Sequence, residues 1–458
     1  MRKALLIFVL LLLVALPLSA QDEEGLPEFI QHTECEVDLT GETITVNHFG
    51  DISGPYAFIT QPLLVGLQDA ADYYNERGGI CGATIAQDNR DTGGDLQQTQ
   101  AHYDFYSGEG VDLIVLYSSA DAELLRTQVA EDEIPVIISA GSVEGLYGET
   151  GQEPGWIFAT NPLYVNQFGA FCDYVAGNPE TYPEPVIGYI SWGITFGQAA
   201  YTPEAIAYCE SVGVEIIDTP EYFSPIATDI TTNVQNLVDA GANILYTNTL
   251  ANGPTLVAKT VVDLGLEEDV AISGVNWVMD TSVGLIGRVD IGSDGLPAVN
   301  GYIGSLPFAW FNEVDNPGIA LINEQADANE RSLPQRNISY ILGWSLVDYY
   351  TELYIQTVNR VGSLADVTGA DLKETMESMV YTPLELYTID FQNGVRALNN
   401  NRIAQLRFMN ADGTGVAESG DDAMKIPQDD GTTIFVPVLV PLTEFAPAPD
   451  LRPGMEEG

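Results

Sequence analysis

Residues 42–82 read ETITVNHFGDISGPYAFITQPLLVGLQDAADYYNERGGICG, and the order of the parts decides the fold. Ile44-Thr-Val-Asn-His-Phe49 is a short β-favouring run. It passes into Gly50-Asp-Ile-Ser-Gly-Pro-Tyr56, whose turn residues extend neither a strand nor a helix. A helix follows, because Leu63, Leu64, Leu67, Ala70, Ala71 and Tyr74 recur at helical spacing. Pro62 suits its first turn and Gly78-Gly79 stop it. Strand, loop and helix in this order make the first βα unit of an open α/β sheet, which binds ligands beyond the carboxyl ends of its strands.

The same alternation continues outward. Residues 83–87, 111–117 and 135–139 read as strands, with helices over 95–106 and 122–131. Apolar strands separated by helices argue for a parallel sheet covered on both faces. A second series begins after Trp156-Ile-Phe158: helices over 163–176, 198–212, 230–240 and 254–264, strands over 186–190, 214–217, 242–247 and 270–273. Later come helices over 338–361 and 370–379 and strands over 389–391 and 403–409. A chain of 458 residues is longer than one core usually serves, so two domains are expected.

A strand ending in G-D-x-S-G-P, a helix, and then N-E-R-G-G-I-x-G resembles the start of the periplasmic binding proteins of branched-chain amino acid ABC transporters, the leucine/isoleucine/valine type. The likeness runs over residues 42–412. It implies a type I periplasmic binding protein: an α/β chain of two open parallel-sheet lobes joined by a three-crossing hinge, with crossings near 159–162, 301–312 and 380–390. Lobe 1 would hold 42–160 and 312–382, lobe 2 161–311 and 383–412. Residues 21–41 form a lead-in, and 413–458 an extension whose proline-rich, acidic tail from Phe445 reads as extended or disordered. The implied role is a monomeric solute-binding component that delivers a small molecule to a membrane permease, with no cofactor.

Composition bounds this expectation. Arg2-Lys3, an apolar run over 4–18 and Leu18-Ser19-Ala20 read as a secretory signal peptide over residues 1–20, and no cysteine follows the cut to carry a lipid anchor. A periplasmic or extracellular location follows. With 16 basic and 66 acidic residues the net charge is −50, falling to −52 once Arg2 and Lys3 are removed, which sets nucleic acid aside as a partner. Four cysteines in an exported chain favour disulfides, and Cys35–Cys81 with Cys172–Cys209 keeps each pair within one lobe. There is no C-x-x-C, and His32, His48 and His102 are scattered, so no metal centre is read. Asp88, Asp91 and Asp95 miss the calcium-loop spacing and read as a polar turn before a helix. Asn337-Ile-Ser339 matches the glycosylation pattern.

Six strand-end loops would converge on one cleft. The first holds Tyr56; the second Ser118 and Ser119; the third Ala140 and Ser142. On the far lobe are Trp192 and Phe196, then Asn248 and Leu250, then Asn276 and Trp277. Small residues and hydroxyls before helices suit a carboxylate, and the resemblance assigns Ser118, Ala140 and Ser142 to the carboxylate and ammonium of an amino acid. Serines in these places also serve as ordinary N-caps. The family's ammonium-binding acid falls at Asn276 and a tyrosine wall residue at Leu250, so a simple aliphatic amino acid is in doubt; Asp280 is the substitute if its loop bends back. Trp192, Phe196 and Trp277 are candidates for an aromatic wall or for plain core. An amide, a small carboxylate, an aromatic acid or a short peptide all fit. The alternatives are a free sensory binding protein and a secreted hydrolase. For the latter, no G-x-S-x-G, P-loop, H-E-x-x-H or G-x-G-x-x-G is present.

Overall fold

The computed structural model describes residues 25–286, 291–428, 431 and 433–455. The expected signal peptide lies outside them. Among the described residues no helix is long and apolar enough to cross a membrane.

The first sheet alternates β1 (Thr43–Gly50), α1 (Ala57–Asn75), β2 (Thr84–Asp91), α2 (Leu96–Glu109), β3 (Ile114–Leu116), α3 (Ser119–Glu131), β4 (Val136–Ile138), α4 (Val143–Tyr147) and β5 (Ile157–Ala159). Its order is β2-β1-β3-β4-β5, all parallel. Short strands of Ile, Val and Leu are fully buried because helices cover both faces.

The second series runs α5 (Tyr164–Ala176), β6 (Val186–Trp192), α6 (Thr195–Gln198), α7 (Pro203–Ser211), β7 (Glu215–Ile216), β8 (Glu221–Phe223), α8 (Thr231–Asp239), β9 (Ile244–Thr247), α9 (Asn252–Leu264), β10 (Ala271–Gly274), α10 (Thr281–Ile286) and β11 (Ile303–Ser305). Helices α11 (Pro317–Ala328), α12 (Ile338–Val361) and α13 (Gly369–Ser378) follow, then β12 (Val380–Tyr381), β13 (Ile389–Asp390), β14 (Asn400–Asn401), β15 (Ile403–Phe408), β16 (Lys425–Pro427), β17 (Thr433–Phe435), β18 (Pro437–Pro441) and β19 (Ala446–Pro447). The second sheet is ordered β18-β15-β11-β10-β9-β6-β7, with β8 also on β6. Strands β15 and β18 join it antiparallel.

The helix expected over 198–212 is broken. Thr202 accepts the Ala205 N–H as an N-cap and Pro203, which lacks an N–H, starts a new helix. Helix α1 begins earlier than expected, at Ala57, so Pro62 lies inside it.

Helix α12 returns to the first lobe and packs along α1. Glycine permits the approach: a Cβ on Gly66 would stand 2.5 Å from the Tyr340 carbonyl oxygen, and one on Gly343 2.6 Å from the Leu67 nitrogen. Both expected disulfides are formed, Cys35–Cys81 and Cys172–Cys209, and neither leaves a free cysteine. The lead-in is docked on α12, through His32 to Asp348 and Thr33 to Glu352.

Two expectations change here. Strand β13 pairs with β12, and Phe391 packs against Phe158 of β5 with ring centroids 5.1 Å apart. The chain therefore leaves the first lobe after about residue 397, where Ala397 bridges Ala159, rather than at 380–390. As far as residue 455, the extension and its tail are held by contacts. Strand β18 completes the second sheet, β19 pairs with β14, and Leu451 is buried with its N–H donated to Asn166 of α5. Alternating apolar residues among the prolines supply partners that composition averages away.

Candidate functional site

In a sheet ordered 2-1-3-4-5 the crevice opens between the first and third strands, where the chain switches direction across the sheet. Here that point lies between β1 and β3, and in the second lobe between β6 and β9. The loops beyond these strands and β10 face each other around a cavity of about 420 Å³. Rings meet across the lobes: Tyr56 with Trp192 at 5.8 Å and Tyr117 with Trp277 at 6.1 Å.

The loop after β1 is held by its own acids. Asp51 accepts the Gly54 N–H at 2.5 Å and the Tyr56 N–H at 2.9 Å, while Asp91 accepts those of Ile52 and Ser53. A Cβ on Gly54 would lie 2.7 Å from the Gly93 carbonyl oxygen, so the loop requires glycine there. Asp95 caps α2 and Asp88 pairs with Arg90, so the three aspartates of this region each have a local task.

After β3, Ser118 caps α3 by accepting the Asp121 N–H at 3.3 Å. Ser119 lines the cavity, and its buried hydroxyl lies near Tyr164 without completing a hydrogen bond among the described residues. Asp121, also in the wall, is buried and accepts from Thr99 Oγ1 at 2.9 Å. Burial, and beyond it the charge of Asp51, pushes its carboxyl up to about 6 against the hydrogen bond from Thr99. From the second lobe come Ile194, Thr195, Phe196, Leu250 and Trp277, with Tyr164 at the start of α5. Trp277 Nε1 donates to the Tyr164 oxygen at 3.1 Å, and Tyr164 packs on Phe196 at 5.2 Å.

Of the eleven residues singled out from sequence, Tyr56, Ser118, Ser119, Phe196, Leu250 and Trp277 line the cavity. The other five stand behind the wall. Ser142 caps α4 by accepting the Gly145 N–H and donates to Glu123 at 2.6 Å. Ala140 is buried beneath that turn. Trp192 is buried against Tyr56 and Phe196. Asn248 donates to the Phe196 carbonyl at 2.7 Å, which holds the α6 turn in place. Asn276 is fully buried; its backbone N–H goes to Gln167, while its amide has no partner. Asp280 does not bend back as an ammonium anchor. It accepts the Ile338 N–H at 3.1 Å, and burial pushes its carboxyl up to about 6. Asn337 of the glycosylation pattern is buried as the N-cap of α12.

Sequence reasoning passed over Asp51, Asp121, Tyr117 and Tyr164. Asp51 and Tyr117 belong to loops already marked, so their position after a strand was the available signal; Tyr164 carries none, since α5 reaches the cavity only through packing.

The sequence model of the family described as periplasmic binding protein matches residues 43–415, and the chain belongs to that family. The fold is that of the type I members. A substrate-binding protein of an ABC transporter from Aeropyrum pernix superposes with a TM-score of 0.67 at 20% identity, covering 90% of this chain and 97% of that one. A branched-chain amino acid ABC transporter protein from Thermus thermophilus with bound valine gives 0.68 at 18%, covering 89% and 98%. An R. palustris solute-binding protein in complex with 4-hydroxybenzoate gives 0.64 at 18%, with the same coverage. At such identities the likeness is one of fold. No curated protein matches the sequence.

Proposed function

We propose that this chain is the extracytoplasmic solute-binding component of an ABC transporter, which holds a small ligand between its lobes and presents the closed form to a membrane permease. The observation that carries the reading is the cavity between the two switch points, lined by residues of both lobes, so that a ligand there bridges them. Three similar folds, all of ABC transporter proteins, are consistent with it. The work is binding, without bond chemistry: Ser118 uses its hydroxyl as a cap, and among the described residues no histidine lines the cavity to activate Ser119.

A thermal-shift screen of the mature protein tests this, with amino acids, amides, aromatic acids, amines, short peptides and sugars as the panel. A ligand at about a hundred times its dissociation constant adds about 2.7 kcal/mol, so one chemical class should raise the melting midpoint by degrees. A folded protein that answers to nothing, and releases no small molecule on denaturation, would sink the reading.

A further inference from the structure

Among the described residues, the cavity wall contains two carboxylates, Asp51 and Asp121, and no lysine, arginine or histidine. A ligand carboxylate would need a positive helix end or a basic side chain. The helix ends of the first lobe that reach the wall are those of α1, α2 and α3, and each already has an aspartate: Asp51 accepts the N–H of Tyr56, the N-cap of α1, Asp95 caps α2, and Asp121 lies in the first turn of α3. An anion placed against Ser118 and Ser119 would therefore meet a buried negative charge a turn away.

The rest of the wall suits the opposite charge. Tyr56, Tyr117, Tyr164, Phe196 and Trp277 present rings from both lobes, and the faces of such rings attract cations. Ser119 offers a buried hydroxyl that lies near Tyr164 but completes no hydrogen bond among the described residues, which leaves a polar bond for an occupant to make. Leu96 and Ile194, both partly exposed apolar residues, also line the cavity from opposite lobes, which favours an occupant with an apolar portion. The field of the whole chain, at −50, draws cations in and keeps anions away.

We propose that this cavity takes an organic cation, an ammonium group on an apolar body, with the charge beside Asp51 and Asp121 and the body against the aromatic rings. The inference rests on the binding-protein reading and narrows it. It also departs from what the resemblance implied, since the first lobe would receive a cationic group alone rather than the carboxylate and ammonium of an amino acid.

Isothermal titration of the ligand-stripped mature protein tests it with three probes of similar size: phenethylamine, benzyltrimethylammonium and 3-phenylpropionate. The two cations should bind and the carboxylate should not, and Asp121→Asn should weaken cation binding by at least about tenfold. Circular dichroism and melting of the variant establish that it is folded; if it is not, the charge series on the native protein decides alone. Binding of 3-phenylpropionate as tightly as the cations, or full affinity in a folded Asp121→Asn, overturns the proposal. Binding of the carboxylate alone overturns the cation while keeping a solute-binding protein. A folded protein that takes none of the three overturns the cation, and the broader panel above then decides the reading beneath it.

Discussion

At Ser142 the hydroxyl accepts from the turn it caps and donates to Glu123, while at Ser119 it lies near Tyr164 and completes no hydrogen bond among the described residues. The two serines looked equivalent in sequence, each just beyond an apolar strand. Their difference lies in what the surrounding chain already satisfies. Ser142→Ala should cost about 1 kcal/mol of stability as a lost cap and leave ligand affinity unchanged. Ser119→Ala should do the reverse, weakening binding several-fold with little change in the melting of the empty protein. Calorimetry and titration of both variants separate the cases, and the opposite pattern would move the site to the loop after β4. The same reasoning applies to Asn276, which is buried and stands outside the cavity lining. A polar residue after a strand reads as a ligand group, but nothing local says that its side chain turns into the core.

Elements were legible where their periodicity was long or their ends were marked. Helix α12 runs Ile338–Val361 as expected, because an apolar pattern over 24 residues sits between an asparagine cap and a glycine stop. Short pieces such as β8, β11 and α4 carry too few residues to show a period. The disulfides act at this scale, Cys172–Cys209 joining α5 to α7 and Cys35–Cys81 tying the lead-in to the loop before β2. Closing a ring of this length restricts the unfolded chain by about 2–4 kcal/mol. The paired substitution Cys172→Ser, Cys209→Ser should therefore lower the melting midpoint by several degrees. An unchanged midpoint, or peptide mapping that finds these thiols free in the native protein, would remove the bridge as a stabilising element.

For the whole molecule, charge and topology matter most. Acidic residues outnumber basic ones by 66 to 16, and such self-repulsion opposes compaction. Salt shortens its reach, from about 30 Å at about 0.01 M to about 3 Å at about 1 M. The melting midpoint should rise steadily over that range in sodium chloride, measured by scanning calorimetry without ligand. A flat or falling profile would mean that paired charges, such as Arg402 with Glu313 between the segments joining the lobes, outweigh the net field.

By itself the sequence determined the class of fold, because alternating apolar strands and amphipathic helices bury their faces only as covered parallel sheets. It also marked the strand-end loops and the cysteine partners, both consequences of local order along the chain. Tertiary structure alone decided which side chains in those loops face the cavity and how charge is distributed there. It also decided that the proline-rich tail packs instead of trailing, since Leu451 finds Asn166 only after α5 has been placed. The physical reason is common to all three. Burial and hydrogen-bond satisfaction are settled by neighbours distant in sequence, and a residue's own identity states only what it needs, not what it meets.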